Sequence, residues 1–506
     1  MIRYISPRIA GLVLVFLLSN STAPANAGAP DPIGPADRDR LQKYARDTWR
    51  SMAEMAEGLA VPCDGLRRLP SGRWKQTPQT NPTDIGAYLW GTIAAHRLGL
   101  INEPEAIRRL SRTLDGLDRV ERAHGFLADR IDPKNARTFR KSPIDGRPIT
   151  PIASSVDNGW LAAGLLMVRN AFPTLRNRAE TLLRPMNFGL YFVAFDASDS
   201  WHKPGLIRGP YSMDRGTFGG FHRVLNTEQR IAAYIGIARG QIPPEHYYHP
   251  GRTLSPDIRD QSQRPTGEYR EYLGIRVFEG HYRYRGMRIV PTWGGSMFEA
   301  LMVTLFVPEE RWAPRSWGVN HPLYVRAQIE HGLIEARYGY WGFSPASNPE
   351  GGYRTYGVDA LGTDPHGYTS NNDDERVGGE KAGANARFRN GVVTPHASFL
   401  ALRFAPREAL DNLARLEKDF PIYSDHGFLD SVNVDKGVVS DKVLALDQGM
   451  ILAAIANALA DDAMRAAFVA GEVQRVIPPL IAPESFTAGV DLPTPPAGKV
   501  PETPAR

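Results

Sequence analysis

Residues 447–460 read Asp-Gln-Gly-Met-Ile-Leu-Ala-Ala-Ile-Ala-Asn-Ala-Leu-Ala. Past the opening Asp447-Gln448 the stretch carries one polar side chain, Asn457, so a helix built from it has no face suited to water. A helix apolar on nearly every side belongs inside a protein. The same pattern, a polar or turn-forming residue followed by a nearly all-apolar run, recurs over residues 84–98, 157–170, 222–239, 294–307 and 396–404. Between these runs lie charged amphipathic stretches at 103–122, 174–183, 324–336, 407–419 and 462–474, with another at 37–58. Buried helices alternating with half-exposed ones predict an all-α fold, an (α/α)6 toroid of six inner helices ringed by a similar number of outer ones. If each outer helix returns antiparallel, the inner N-termini gather at one end. That end carries Asp84, Asp157, the turn at Trp293, His396 and Asp447, and its positive helix-dipole ends favour acidic groups.

Other segments do not fit helices. Residues 189–196 and 274–290 alternate β-branched, aromatic and polar side chains and read as strands or hairpins over one end of the ring. Residues 359–391, rich in Gly, Asn and Asp, read as a long surface loop. From Pro483 the chain is dense in Pro, Ala and Thr, which predicts a disordered tail over 483–506. At the other end, Arg3 and Arg8 flank the apolar run 9–18, and Ala25-Asn26-Ala27 offers a small-x-small cleavage site. The run is shorter than the roughly 20 residues that span a bilayer. The expectation is a signal peptide over 1–27, a single domain over 28–482, and a secreted or periplasmic protein with no stable membrane anchor.

Composition excludes some partners. Sixty Lys and Arg against 55 Asp and Glu give a formal charge of +5, and the basic residues are scattered instead of forming the stripe a nucleic acid needs. The one cysteine, Cys63, makes no internal disulfide, so the core must hold the fold. No His/Cys metal constellation, serine nucleophile elbow or phosphate-cradling glycine loop is apparent. No cofactor or metal is expected, and a monomer is.

The chemistry points to carboxylates. Glu228 lies in Val224-Leu225-Asn226-Thr227-Glu228-Gln229-Arg230-Ile231, on a helical stripe with Val224, Ile231 and Ile235. A buried carboxylate either pairs with an arginine, here Arg230 or Arg223, or has a raised pKa that suits a general acid. Glu299 stands alone among apolar neighbours in Ser296-Met297-Phe298-Glu299-Ala300-Leu301, after the tight turn Trp293-Gly294-Gly295. It serves either chemistry or backbone hydrogen bonding. Asp84, Asp157 and Asp447 open helices, where Asp is a preferred N-cap. With the two glutamates they also make a set of acids at one end of the ring, the arrangement glycoside hydrolysis uses. Within Tyr338-Gly339-Tyr340-Trp341-Gly342-Phe343, Trp341 is a candidate sugar platform or a rim-packing residue. His396, after Pro395, suits capping or core packing, and the acidic cluster 371–375 suits a solvated surface better than a Ca²⁺ loop.

Several motifs in order resemble those of the bacterial glucoamylase-like family that includes endo-β-1,2-glucanases and the cyclisation domain of cyclic β-1,2-glucan synthases. They are Asn81-Pro82-Thr83-Asp84-Ile85-Gly86, Thr227-Glu228-Gln229-Arg230, Gly295-Ser296-Met297-Phe298-Glu299, Tyr340-Trp341-Gly342-Phe343-Ser344, Tyr356-Gly357-Val358 and Leu446-Asp447-Gln448-Gly449. The resemblance implies the (α/α)6 fold and hydrolysis or transglycosylation of an oligo- or polysaccharide. By it Glu228 is similar to the family's acid residue, Glu299 to the glutamate of a Met-Phe-Glu motif and Asp447 to the aspartate of an Asp-Gln-Gly motif. The expectation is a glycoside hydrolase, with Glu228, Glu299, Asp157 and Asp447 catalytic. Asp84, Trp293, Trp341, Tyr356 and Gln448 are expected to bind substrate. A retaining glucan transglycosylase and a non-catalytic glycan-binding toroid are the alternatives.

Overall fold

The structure, a computed structural model, describes residues 33–259, 261–363, 369–370, 388 and 391–491. The expected signal peptide, the acidic cluster 371–375, most of the 359–391 loop and everything after 491 lie outside these residues. None of the described helices is long and apolar enough to cross a membrane.

Among the described residues fourteen α-helices make up the frame: Pro35–Met55 (α1), Pro82–Arg97 (α2), Glu103–Leu117 (α3), Ser155–Ala171 (α4), Arg176–Leu183 (α5), Arg230–Ala238 (α6), Met297–Leu301 (α7), Glu309–Trp312 (α8), Trp317–Glu330 (α9), Pro395–Ala401 (α10), Pro406–Asp419 (α11), Ala445–Leu459 (α12), Ala463–Val469 (α13) and Glu472–Ile481 (α14). The apolar helices pack on one another: α12 on α2, α2 on α4, α4 on α6, and on the other side α12 on α10 and α10 on α7. Amphipathic helices flank them, α3 on α2, α5 on α4, α14 on α6, α9 on α7, α11 on α10 and α1 on α12. Two glycines set the closest of these contacts. A Cβ on Gly86 of α2 would lie 2.7 Å from the carbonyl oxygen of Trp160 in α4, and one on Gly164 of α4 would lie 3.1 Å from Gly86. Any side chain there would push the two helices apart.

An all-α description is too narrow. The described residues also form nine small sheets of two to four strands. The hairpin expected at 274–290 is present, Ile275–Tyr284 pairing with Met287–Ile289, and Thr266–Tyr272 extends it on the outer side. Residues 189–196 instead form a short 3₁₀ turn, Phe188–Leu190, followed by isolated bridges from Phe192 and Phe195. Two apolar runs are less helical than their composition predicts. Helix α6 begins at Arg230 because residues 222–229 are held by partners elsewhere: Leu225 N–H bonds Gly251 O, and the Asn226 amide bonds Val290 O. The 294–307 run is helical over α7 and then tightens to a 3₁₀ helix, Met302–Leu305.

The boundary expected at 483 also shifts. Residues 483–491 belong to the folded body: Gly489–Val490 adds a strand beside Met287–Ile289, Phe486 packs edge-on against Trp317, and Glu484 is fully buried. Glu484 accepts from the buried Arg252 and from Tyr247 Oη, and Arg252 has a second partner in Glu279 at 3.6 Å. Sequence composition misses this anchor, because one buried carboxylate outweighs a run of small residues.

Removing one partner of a buried ion pair strands the other charge, at a typical cost of about 3–5 kcal/mol. Glu484→Ala should therefore lower unfolding free energy in urea by about 3 kcal/mol, the low end applying because Glu279 remains beside Arg252. A loss under about 0.5 kcal/mol, the scale of ordinary surface substitutions, would show that the segment is not an anchor.

Candidate active site

Four of the expected acids occupy one position in four helices. Asp84, Asp157, Glu299 and Asp447 are each the third residue of their helix, in α2, α4, α7 and α12. They are not N-caps. The Asn81 side chain accepts from the Asp84 N–H, Ser154 from that of Asp157 and Ser296 from that of Glu299. With capping done by Asn81 and Ser154, the carboxyls of Asp84 and Asp157 reach across to neighbours. Asp157 Oδ1 accepts from Thr83 Oγ1 of α2 at 2.7 Å, and Asp84 accepts from the Leu446 backbone of α12.

Glu299 is the exception, since its side chain closes a capping box. Its Oε2 accepts from Gly294 N at 2.9 Å, Ser296 Oγ at 3.0 Å and Ser296 N at 3.4 Å. The turn that supplies these donors needs glycine: Gly295 has φ +78°, and a Cβ there would overlap Val358 O.

Glu228 is not on a buried helical stripe, because α6 starts two residues later. It sits in the turn that leads into α6, partly open to a cavity of about 340 Å³ lined by Phe221, Arg223, Trp293 and Glu299 among others. Nor is it paired with Arg230 or Arg223. Arg230, fully buried, is committed to Glu309, with Nε–Oε1 at 2.7 Å and Nη2–Oε2 at 3.0 Å. Its remaining N–H groups donate to the carbonyls of Thr227 at 2.8 Å, Glu299 at 3.1 Å and Ala300 at 2.7 Å. One guanidinium thus holds the backbone just before Glu228 against the backbone of Glu299.

Electrostatics joins these acids in a row. Burial, then the charge of Glu299, pushes the Glu228 carboxyl up to about 8, with Asp157 adding to the rise. Burial pushes Glu299 up to about 7 against the pull of its backbone and hydroxyl donors. Interacting acids titrate as a unit, and this pair keeps a proton at neutral pH. Asp157 is raised by burial, Asp84 well raised by burial, Asp64 and Asp157, and Asp447 well raised by burial, Asp430 and Asp84. Asp447 therefore lies further along the row than Asp157, with Asp430 and His396 as its company.

The expected substrate contacts divide. Trp293 lines the Glu228 cavity and Asp84 stands in the acidic row. Trp341 does not reach the cleft: it is 2% exposed, and Asn412 brackets its backbone N–H and C=O. Tyr356 is fully buried with Ala346 and Val392, and its strand backs the Trp293 turn, where a Cβ on Gly357 would overlap Gly294 O. Gln448 is buried and donates to Phe428 O, tying a hairpin to α12. These three motif residues brace the site.

Two exposed aromatics lie near the site residues instead. The Tyr353 ring is 58% exposed, yet burial and the charges of Asp447, Asp430, Asp84 and Glu228 raise its hydroxyl pKa. A solvent-accessible side chain with many protein atoms and several acids around it satisfies both observations. Trp201, 71% exposed, carries the Arg223 guanidinium 4.9 Å from its ring, and Arg223 lines the Glu228 cavity. The positive-φ pair Gly351-Gly352 before Tyr353 was the signal available in sequence; Trp201 offered none beyond its type.

Comparison with known proteins bears on the fold. Residues 264–469 match the Glycoamylase family model, described as "putative glucoamylase", and residues 43–189 match a model of a protein family of unknown function, DUF3131. The endo-β-1,2-glucanase of Chitinophaga pinensis, in complex with sophorotriose and glucose, has the same fold. Its TM-score is 0.62 at 16% identity, over 88% of this chain and 98% of that one. The endo-β-1,2-glucanase of Talaromyces funiculosus, in complex with sophorose, gives 0.58 at 12% identity, over 89% and 94%. The chain thus shares the fold of these glucanases, and its residues 264–469 are similar to the glucoamylase-like family. Among curated proteins the chain is similar to the cyclic β-(1,2)-glucan synthase NdvB of Rhizobium meliloti (strain 1021), with 29% identity across 86% of its own length; it spans only 18% of that protein's length.

Two outcomes follow from burial. Trp341→Ala should cost about 3–5 kcal/mol of stability, the usual loss for a buried large aromatic, read as a fall in Tm; an unchanged Tm would return Trp341 to the cleft surface. The second concerns pH. Glu228 rises from an ordinary value of 4.5 to about 8, so the folded state holds its proton more tightly than the unfolded chain. Its contribution is fully present below pH 4.5 and is lost as pH rises to about 8. Glu228→Gln has no such loss, so its stability relative to the parent should climb between those values and level off above. A pH-independent difference would rule out the raised pKa.

Proposed function

We propose that this chain hydrolyses a β-glucan, with β-1,2-glucan the first substrate to try, and that Glu228 is the general acid. The observation that carries this is the pairing of Glu228 and Glu299 in one cavity, with Glu228 pushed up to about 8 by burial and by its neighbour. A carboxyl protonated at neutral pH is what a departing glycosidic oxygen requires. The circular order of helix contacts supports reading the apolar helices as the inner ring of an (α/α)6 toroid, with Arg230 bridging α6 and α7. The reading also includes export, which rests on residues 1–27 alone.

In this mechanism Glu228 donates its proton to the glycosidic oxygen while a second carboxylate works on the anomeric carbon, either by activating water or by direct attack. Glu299 and Asp157, the two acids whose charges act on Glu228, are the partners for that role; Asp447 is a further step along the row. Carboxyl separations of roughly 6.5–9.5 Å serve inversion and about 5–5.5 Å retention. Exposed Trp201 and Tyr353 offer apolar faces for pyranose rings.

A transglycosylase is the second reading, favoured by the similarity to a cyclic glucan synthase. Mass spectrometry of products from linear β-1,2-glucan separates the two: shorter linear chains indicate hydrolysis, cyclic or lengthened chains transfer.

Glu228→Gln keeps shape and hydrogen bonding but has no proton to give. Its kcat on polymeric glucan should fall by about 10²–10⁴-fold, the usual worth of general acid catalysis, with binding of the glucan retained. An aryl glycoside, whose leaving group needs less protonation, should recover part of the rate. Full activity in Glu228→Gln would make Glu228 structural, and binding without turnover by the parent chain would identify a glycan-binding toroid.

A further inference from the structure

His396, Asp430 and Asp447 come from three separate parts of the chain. His396 is the second residue of α10, Asp447 the third of α12, and Asp430 lies in the short link between the strands Gly427–Phe428 and Val432–Asn433. Each offers one ligating atom, and these atoms all lie within 4.8 Å of one another. All three residues are buried, at 2%, 2% and 4% exposure. Four of their polar atoms have no hydrogen-bond partner outside the cluster, both ring nitrogens of His396, Oδ1 of Asp430 and Oδ2 of Asp447, the two carboxyls lying within hydrogen-bond reach of each other. An unmet buried donor or acceptor costs about 1–3 kcal/mol. Four at one point call for a partner that can satisfy several of them together.

From this geometry we infer that His396, Asp430 and Asp447 bind one divalent transition-metal ion of the zinc class. An imidazole with two carboxylates suits zinc, and fits poorly the all-oxygen shells of calcium and magnesium. No thiolate is available, since Cys63 donates to Gly65 O. Three protein ligands leave a fourth position for water, as in open zinc sites. Two supports around the cluster are already in place. Asp430 Oδ2 is fixed by the Ser347 N–H, which leaves Oδ1 as the free donor atom. The His396 Nδ1 to Asp447 Oδ1 distance of 3.5 Å is long for a hydrogen bond, so the two groups face each other without satisfying each other. An ion there pins α10, α12 and the 429–431 link together and neutralises charge at the far end of the acidic row. The competing occupant is a proton shared by Asp430 and Asp447, which leaves His396 without a partner. Metal binding does not depend on the glycosidase reading, and its test does not use activity.

The test starts from the full chain stripped with EDTA and dialysed. Zinc titration by calorimetry should show one equivalent bound, and cobalt should produce visible absorption bands from the same site. In His396→Asn and in Asp430→Asn, each checked for folding by circular dichroism, affinity should drop by more than the roughly 10–100-fold that loss of an outer-shell partner costs. The parent chain alone decides if a variant does not fold: absence of both stoichiometric zinc binding and cobalt bands overturns the proposal. Stoichiometric binding that survives in folded His396→Asn overturns it equally, by placing the ion elsewhere.

Discussion

The arrangement of the site depends on Arg230. A guanidinium without solvent is costly unless its charge is matched and its donors are used, and this one meets both conditions through Glu309 and three backbone carbonyls. Glu309 is itself shared with Tyr234 Oη and His321 Nε2, and the Arg230 guanidinium beside it holds its carboxyl down at about 2 although burial opposes this. The pair therefore stays ionised at any pH the protein meets. Its consequence is positional: the carbonyls it grips belong to Thr227, beside Glu228, and to Glu299 itself. Two interacting carboxyls are placed by an ion pair whose guanidinium offsets only part of the rise at Glu228.

The acids beyond that pair show two opposed effects. Each stands in the first turn of a helix, where the dipole favours negative charge by about 0.3–1 kcal/mol, up to ~2 kcal/mol when partly buried. Each is also buried among other acids, which disfavours charge by more, and the raised pKa values of Asp84, Asp157 and Asp447 show burial prevailing. The result is a row of buried carboxyls that hold their protons more tightly than free acids do. That property comes from convergence of helix ends more than from any single residue.

Several motif residues expected to contact substrate turn out to brace the groups around the Glu228 cavity. Trp341 fills the core behind the loop, Tyr356 and Gly357 back the Trp293 turn, and Gln448 ties the Phe428 hairpin to α12. A family motif records what must stay in place for the site to work, and packing behind a turn constrains a residue as firmly as contact with substrate. The exposed aromatics Tyr353 and Trp201 fall outside those motifs, in loops whose paths local sequence leaves open.

What the sequence by itself determined is periodicity and chemistry. Runs such as 84–98 and 447–460 are apolar on nearly every face, so they had to be buried helices, and acids opening such runs had to be near helix N-termini. It also singled out Glu228 and Glu299, because a carboxylate among apolar residues is conspicuous in one dimension. Tertiary structure decided what depends on partners distant in the chain. Helix α6 starts only at Arg230 because Asn226 is claimed by Val290 and Leu225 by Gly251. The chain after 483 is anchored because Glu484 meets Arg252. Whether Asp84 caps a helix or faces a cleft was settled by Asn81, three residues away, and by α12, more than three hundred away. Composition limits what a segment can bury; only packing fixes which buried polar groups meet.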